Sequence, residues 1–152
     1  MPRVRRSRTI GATPEQVWRT VCDPRHLPRW WPRVQRVESV EGDRFTEVLQ
    51  TDKGRSVRAD FRVTESSAPE VRRWRQEVEG SPFERLLRSA ETEVRLEPDG
   101  DLGTRVTVTV RQRLRGFGAF GGFMVRRATR GQIDEALAGL ERLHGPRHDE
   151  GA

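Results

Sequence analysis

The sequence predicts an α+β fold: a curved antiparallel sheet of about six to seven strands wrapped on a long C-terminal helix, with two short helices after the first strand. Three observations predict it. Segments between Val34 and Leu114 repeatedly alternate apolar with charged or hydroxyl residues, the period of strands whose sheet is covered on one face. From Phe120 to Leu143 the apolar residues recur at helical spacing instead, over a length of roughly 30 Å at about 1.5 Å per residue. Helix-capping signals and closely spaced prolines gather between Thr13 and Pro32.

Arg3 to Ile10 reads as the first strand. Thr13-Pro14-Glu15-Gln16 then starts a helix, with Thr13 as N-cap, Pro14 at the first helical position and Gln16 completing a capping box. Val17, Trp18, Val21 and Cys22 form its apolar side, and Asp23-Pro24 ends it, because a residue before proline disfavours α geometry. A proline-bounded turn of helix carries Leu27, Trp30 and Trp31. Strands follow at Val34–Val40 and Phe45–Thr51, joined by Glu41-Gly42-Asp43; Lys53-Gly54 makes the next turn. Val57, Ala59, Phe61 and Val63 alternate with Arg58, Asp60, Arg62 and Thr64. After the break at Ser66-Ser67-Ala68-Pro69 comes a strand around Trp74, Gln76 and Val78.

The next segment reads two ways. Ser81-Pro82-Phe83-Glu84 fits a capping box, with Phe83, Leu86, Leu87, Ala90 and Val94 at helical spacing. A strand with Ala90, Thr92, Val94 and Leu96 inward, closed by Pro98-Asp99-Gly100, fits as well. A helix would interrupt a meander of short turns, which favours the strand. The clearest strand sets Val106, Val108, Val110, Gln112 and Leu114 against Arg105, Thr107, Thr109, Arg111 and Arg113. The closing helix is expected to bury Phe123, Met124, Ala128, Ile133, Leu137, Leu140 and His144, with Gly131 as a soft point. Residues 1–144 read as one domain and 145–152 as a flexible tail.

The chain has 152 residues, 34% charged and 33% hydrophobic, a balance that would suggest disorder were the net charge not only +6 and the apolar spacing not regular. Lys53 is the only lysine among 29 basic residues. The arginines are spread along the chain beside acids, a mixed-charge surface and not one nucleic-acid stripe. A single cysteine, Cys22, excludes an internal disulfide and is expected to be a buried structural thiol. No run reaches the ~18 apolar residues of a membrane span, and a soluble, cytoplasmic protein is expected.

Several local motifs resemble the polyketide cyclase/dehydrase-like proteins of the START and Bet v 1-like (SRPBCC, helix-grip) superfamily. They are Ala12-Thr13-Pro14-Glu15-Gln16-Val17-Trp18, Asp23-Pro24, Leu27-Pro28-Arg29-Trp30-Trp31-Pro32, Gly103-Thr104-Arg105-Val106 and the Gly-Phe-rich entry to the last helix. The resemblance runs from about Arg3 to Leu143. It implies a hydrophobic small molecule held between sheet and helix: a lipid or isoprenoid-like compound in some members, a poly-β-ketone folded by polar residues in aromatase/cyclases. Tyrosine, a common hydrogen-bonding acid of such cyclase pockets, is absent from this chain, which counts against carrying that mechanism over.

Strand alternation puts Phe61, Trp74, Gln76, Thr92 and Gln112 on the inner wall, and the helical parts are expected to add Trp30, Phe120, Phe123, Met124 and Arg127. Aromatic side chains in this pattern also serve simply as core. Gln76, Thr92 and Gln112 on otherwise apolar faces favour a pocket, because buried polar groups need partners. Arg127 would polarise a bound carbonyl if it pointed inward; flanked by Arg126 and Arg130, it reads more simply as solvent-facing. Gly116-Phe117-Gly118-Ala119-Phe120-Gly121 matches G-x-G-x-x-G, but an alternating strand precedes it and no βαβ unit follows, so a dinucleotide site is not expected. His26, His144 and His148 lack metal-ligand spacing, and no nucleophile elbow or zinc pattern appears. No cofactor or metal is expected.

Three functions remain in order of preference. The first is binding of a hydrophobic or aromatic small molecule, the second a polyketide cyclase or dehydratase working by general acid-base chemistry. The third is a partner or nucleic-acid surface formed by Arg58, Arg62, Arg73, Arg75, Arg105, Arg111 and Arg113. Whether a reaction is catalysed is left open, as is the choice between monomer and homodimer.

Overall fold

Thr13 caps the first helix as its neighbours dictate: its hydroxyl accepts from Gln16 N at 3.3 Å while the Gln16 side chain accepts from Thr13 N at 2.9 Å. That helix, α1 (Pro14–Val21), and α2 (Leu27–Trp30), reached through the 3₁₀ turn Pro24–His26, come between the first strand and the rest. The computed structural model describes residues 3–116 and 118–147. Its strands are β1 (Arg3–Ile10), β2 (Val34–Glu41), β3 (Arg44–Gln50), β4 (Ser56–Ser67), β5 (Val71–Gln76), β6 (Leu87–Pro98) and β7 (Thr104–Leu114), followed by α3 (Ala119–His144). They form one antiparallel seven-stranded sheet in the order β1-β7-β6-β5-β4-β3-β2. Hairpins join the neighbours from β2 to β7, and β1 returns to pair with β7 from Arg3↔Arg111 to Ile10↔Thr104. Register shifts in β2, between Val63 and Glu65 of β4, and at the start of β6 mark bulges, where a strand bends and twists more strongly.

The ambiguous segment contains a turn and a strand. The Ser81 hydroxyl accepts from Phe83 N at 3.2 Å and starts a single 3₁₀ turn, Pro82–Arg85. Pairing with β7 then takes over: Arg115 N donates to Leu86 O at 2.9 Å, and Leu87 opposes Leu114. Cross-strand pairing along the whole of β7 outweighs one capped turn, so the helical spacing beyond Leu86 goes unused.

The core is the inner face of the sheet against α1, α2 and part of α3. Ile10, Val17, Val94, Val106, Val108, Ile133 and Leu140 are fully buried. The expected apolar stripe of α3 needs correction. Thr129, Ile133, Ala136, Leu137, Gly139 and Leu140 are its buried residues, whereas Phe120, Phe123 and Met124 are 76%, 47% and 46% exposed, and Ala128 is exposed too. Advancing about 100° per residue places Phe120, Phe123 and Met124 roughly a third of a turn away from the face of Ile133, Leu137 and Leu140. The helix therefore carries two apolar faces out of phase, and only the C-terminal one meets the sheet.

The end of α3 is anchored by backbone. Gly11 N donates to Gly145 O at 3.0 Å and Pro146 bridges Ile10, so the first residues of the expected tail are held; His148–Ala152 lie outside the described residues. Cys22, expected to be buried, is half-buried, with its thiol 3.9 Å from Arg19 O.

Where α3 crosses α2, Gly139 has no room for a side chain. A Cβ there would stand 2.6 Å from the Trp30 carbonyl oxygen and 2.8 Å from its Cα. Backbone cannot yield as a flexible side chain does, so Gly139→Ala must push the two helices apart. Overpacking of this kind costs about 1–3 kcal/mol, and urea unfolding of the variant is expected to show a loss in that range with an unchanged m-value.

Candidate functional site

A cavity of about 420 Å³ lies between the inner face of the sheet and the middle of α3. Its floor follows the strand register: Phe61 opposite Gln76, Thr92 opposite Val110, Ala90 opposite Gln112. Thr129, Gln132 and Ile133 of α3 cover it, with Trp31 at one side and Phe83 of the 3₁₀ turn at another. Arg33 and Asp52 also line it and pair with each other at 2.6 Å. Arg33 adopts a left-handed φ of 69°, and its carbonyl accepts from Gln50 N at 2.9 Å, which ties the end of α2 to β3 at this point.

Of the residues expected on the pocket wall, Phe61, Gln76, Thr92 and Gln112 do line the cavity. Trp30 and Trp74 do not; both are buried in the adjoining core. Trp31 stands between them, edge-on to Trp30 at 5.4 Å and to Trp74 at 6.2 Å, and is the tryptophan that faces the cavity. Phe120, Phe123, Met124 and Arg127 are on the exposed side of α3 and line no part of it, for the reason of helix phase given above.

The most unusual lining residue escaped the sequence reading. Glu47 follows Phe45 and precedes Leu49 in strict alternation on β3, so the period that turns those two inward turns Glu47 inward as well. It is 5% exposed, opposite Ala59 on β4 and Val37 on β2. Burial pushes its carboxyl up to about 8, with no neighbouring charge to oppose the shift. Among the described residues no side chain or backbone group hydrogen-bonds or ion-pairs with that carboxyl. The period-two rule applied to β3 is the signal that finds it.

The polar groups that β4 to β7 and α3 add to the wall are uncharged. Thr129 Oγ1 donates to Gln112 Oε1 at 3.1 Å, and Gln76 Nε2 is buried with no partner. His144 is set apart from the cavity, Nε2 lying 2.8 Å from Thr20 Oγ1, and burial holds its pKa below the usual value. No group of His, Cys, Asp and Glu suited to a metal occurs among the described residues. Phe117 of the G-x-G-x-x-G run lies outside them; Ala119 to Gly121 of the run belong to the start of α3. On the outer face, Arg73 pairs with Glu65 at 3.0 Å and Glu91 at 3.6 Å and also with Glu93, Arg111 with Glu91, Arg62 with Glu77, and Arg58 with Glu38. Acids thus interleave with the arginines, and the face is mixed in sign. No helix is long and apolar enough to cross a membrane among the described residues.

The family model described as "Polyketide cyclase / dehydrase and lipid transport" matches residues 1–145. No curated protein matches significantly. Among solved structures, a START superfamily protein from Mycobacterium smegmatis aligns with a TM-score of 0.77 at 13% identity, over 93% of this chain and 96% of that one. A protein from Thermus thermophilus aligns at 27% identity and a TM-score of 0.71, over 93% and 95%. The di-domain ARO/CYC BexL of the BE-7585A biosynthetic pathway aligns at 21% identity and a TM-score of 0.77, over 93% of this chain and 46% of its own, so this chain spans about half of it. The sheet wrapped on a C-terminal helix is thus the helix-grip fold of these proteins.

Glu47 has a consequence for stability. Its pKa is raised from 4.5 to about 8 in the folded protein, so between these values the folded state keeps a proton that the unfolded chain releases. Stability contributed by this group is full below about 4.5 and is lost as pH rises towards 8, by up to about 1.4 kcal/mol per pH unit. Glu47→Gln has no such titration. Its stability relative to the native protein is expected to climb with pH across that window and level off above it, as thermal melts at a series of pH values would record.

Proposed function

Because this chain belongs to the polyketide cyclase/dehydrase and lipid transport family, we propose that it binds a hydrophobic or aromatic small molecule inside the cavity between sheet and α3. The observation that carries this is the composition of the wall. Trp31, Phe61, Phe83 and Val110 supply apolar contact, and the uncharged Gln76, Thr92 and Gln112 supply a few points of hydrogen bonding. A volume of about 420 Å³ falls in the ~300–1,000 Å³ range of small-molecule sites. The orphaned Gln76 amide supports it further, because a buried donor without an acceptor costs about 1–3 kcal/mol that a ligand would offset. We place this activity in the cytoplasm.

A second reading, cyclisation or dehydration of a poly-ketone, is favoured by Glu47 alone. An acid whose pKa lies near 8 holds a proton at neutral pH and can deliver it to a developing alkoxide. Turnover of a model poly-ketone that Glu47→Gln abolishes would support this reading, and an unchanged rate would remove it.

The binding reading makes its own demand on the native protein. Denaturing extraction of freshly purified protein followed by mass spectrometry is expected to release an apolar compound in stoichiometric amount. Ala90→Phe, which fills the floor, should emerge folded but without it. An interior that yields no compound, and the same result for native and filled variants in binding 1-ethylnaphthalene, would count decisively against a binding cavity.

A further inference from the structure

We propose that Glu47 selects the ligand: its protonated carboxyl donates a hydrogen bond to a carbonyl oxygen of a neutral aromatic compound, with the Gln76 amide as a second donor. This rests on the binding reading above and names the chemistry it recognises.

Glu47 is on the inner face of β3, 5% exposed, flanked by Phe45 and Leu49 on its own strand and by Ala59 and Val37 on the neighbours. It lines the cavity together with Gln76 and Gln112. Among the described residues, none of the surrounding elements offers it a partner. Of the other charged groups on the cavity wall, Arg33 and Asp52 are paired to each other; α3 contributes Thr129, Gln132 and Ile133, the 3₁₀ turn Phe83, and β4 to β7 contribute no acid or base. On β2 the charged neighbours Arg36 and Glu38 pair with each other at 2.7 Å. An unpaired acid in such a place is neutral, since an isolated buried carboxylate costs far more than a buried acid.

The polar atoms then add up to one kind of ligand. A protonated Glu47 offers a strong O–H donor. Gln76 offers an amide N–H₂ that nothing accepts from, and Gln112, whose oxygen is taken by the Thr129 hydroxyl, offers its N–H₂ as well. Donors at Glu47, Gln76 and Gln112 that nothing in the wall accepts from call for acceptors on the ligand. An anion would require a free cation, and Arg33 is engaged with Asp52. An amine would require an ionised Glu47 and would meet the donating amides of both glutamines. A carbonyl oxygen on an aromatic body satisfies the donors, and the rings of Trp31 and Phe61 cover the remainder. The raised pKa of Glu47 agrees with this assignment and sets its pH limit near 8.

The test compares three probes of similar size by tryptophan fluorescence titration: 1-acetylnaphthalene, 1-ethylnaphthalene and 1-naphthylmethylamine. At about pH 6.5 the ketone is expected to bind roughly five- to tenfold tighter than the hydrocarbon, the worth of one buried hydrogen bond. That gap should narrow by about pH 9.5 to what the Gln76 amide alone supplies, as the Glu47 donor becomes a carboxylate. Glu47→Leu should narrow the ketone's advantage at about pH 6.5 to what the Gln76 amide alone supplies. Glu47→Gln should keep a gap that no longer depends on pH, and it serves the test if the leucine variant does not fold. Equal affinities for ketone and hydrocarbon in the native protein would overturn the role of Glu47 while leaving the binding cavity standing. Binding of none of the probes would overturn both. A preference for the amine that strengthens with pH would show that Glu47 acts as a carboxylate and would equally reject the assignment.

Discussion

The backbone contact between Gly139 and Trp30 is the constraint on which the rest of this structure depends. With hydrogen alone at that position, α3 lies directly on the end of α2, close enough that a Cβ would overlap the Trp30 carbonyl. The contact sets the depth at which the C-terminal half of α3 enters the concave sheet, and Ile133, Ala136, Leu137 and Leu140 fill the space at that depth. The chain beyond it is fastened by Gly11 and Ile10, which hold Gly145 and Pro146. Ion pairs from β1 to α3, Arg6–Asp134 at 3.0 Å and Arg8–Glu141 at 3.7 Å, decorate the same seam. Being exposed, they contribute little beside the buried contact.

A helix clamped at one end over a curved sheet leaves space under its other portion. Where the cavity lies, α3 presents the polar Thr129 and Gln132 beside Ile133. Two consequences follow from the same geometry. The space is lined by residues of the sheet's inner face, not by the aromatic start of α3. And the acid at Glu47, on the strand next to the β2 edge, faces that space instead of being compensated by packing. Fold and chemistry therefore share one cause, a grip that closes on the C-terminal half only.

Much of this was legible in the residues. Capping by Thr13 and Gln16, the alternation of β4 and β7, and the length of α3 are local facts, governed by hydrogen bonds and periodicities within a few residues. The same alternation picked out Phe61, Gln76, Thr92 and Gln112, because a strand buried on one face has only two sides to choose from. The family likeness followed from short motifs and held over residues 1–145. Local pattern decides nothing where a choice depends on partners distant in sequence. Trp30 and Trp31 are adjacent and chemically alike, and only the positions of α3 and Trp74 send the first into the core and the second to the cavity. Phe120, Phe123 and Met124 belong to a helix with two apolar faces, and nothing local states which of them the sheet will take.

By itself, then, the sequence determined the elements, their order and the inward side of each strand, since these follow from chain geometry and the burial of apolar area. Tertiary structure alone decided where the helix touches, how much space remains beneath it and what that space does to Glu47. The reason is physical: a carboxyl's ionisation is set by the solvent and charges around it, and those are supplied by Val37, Ala59 and the rest of the wall, residues that no local pattern joins to position 47.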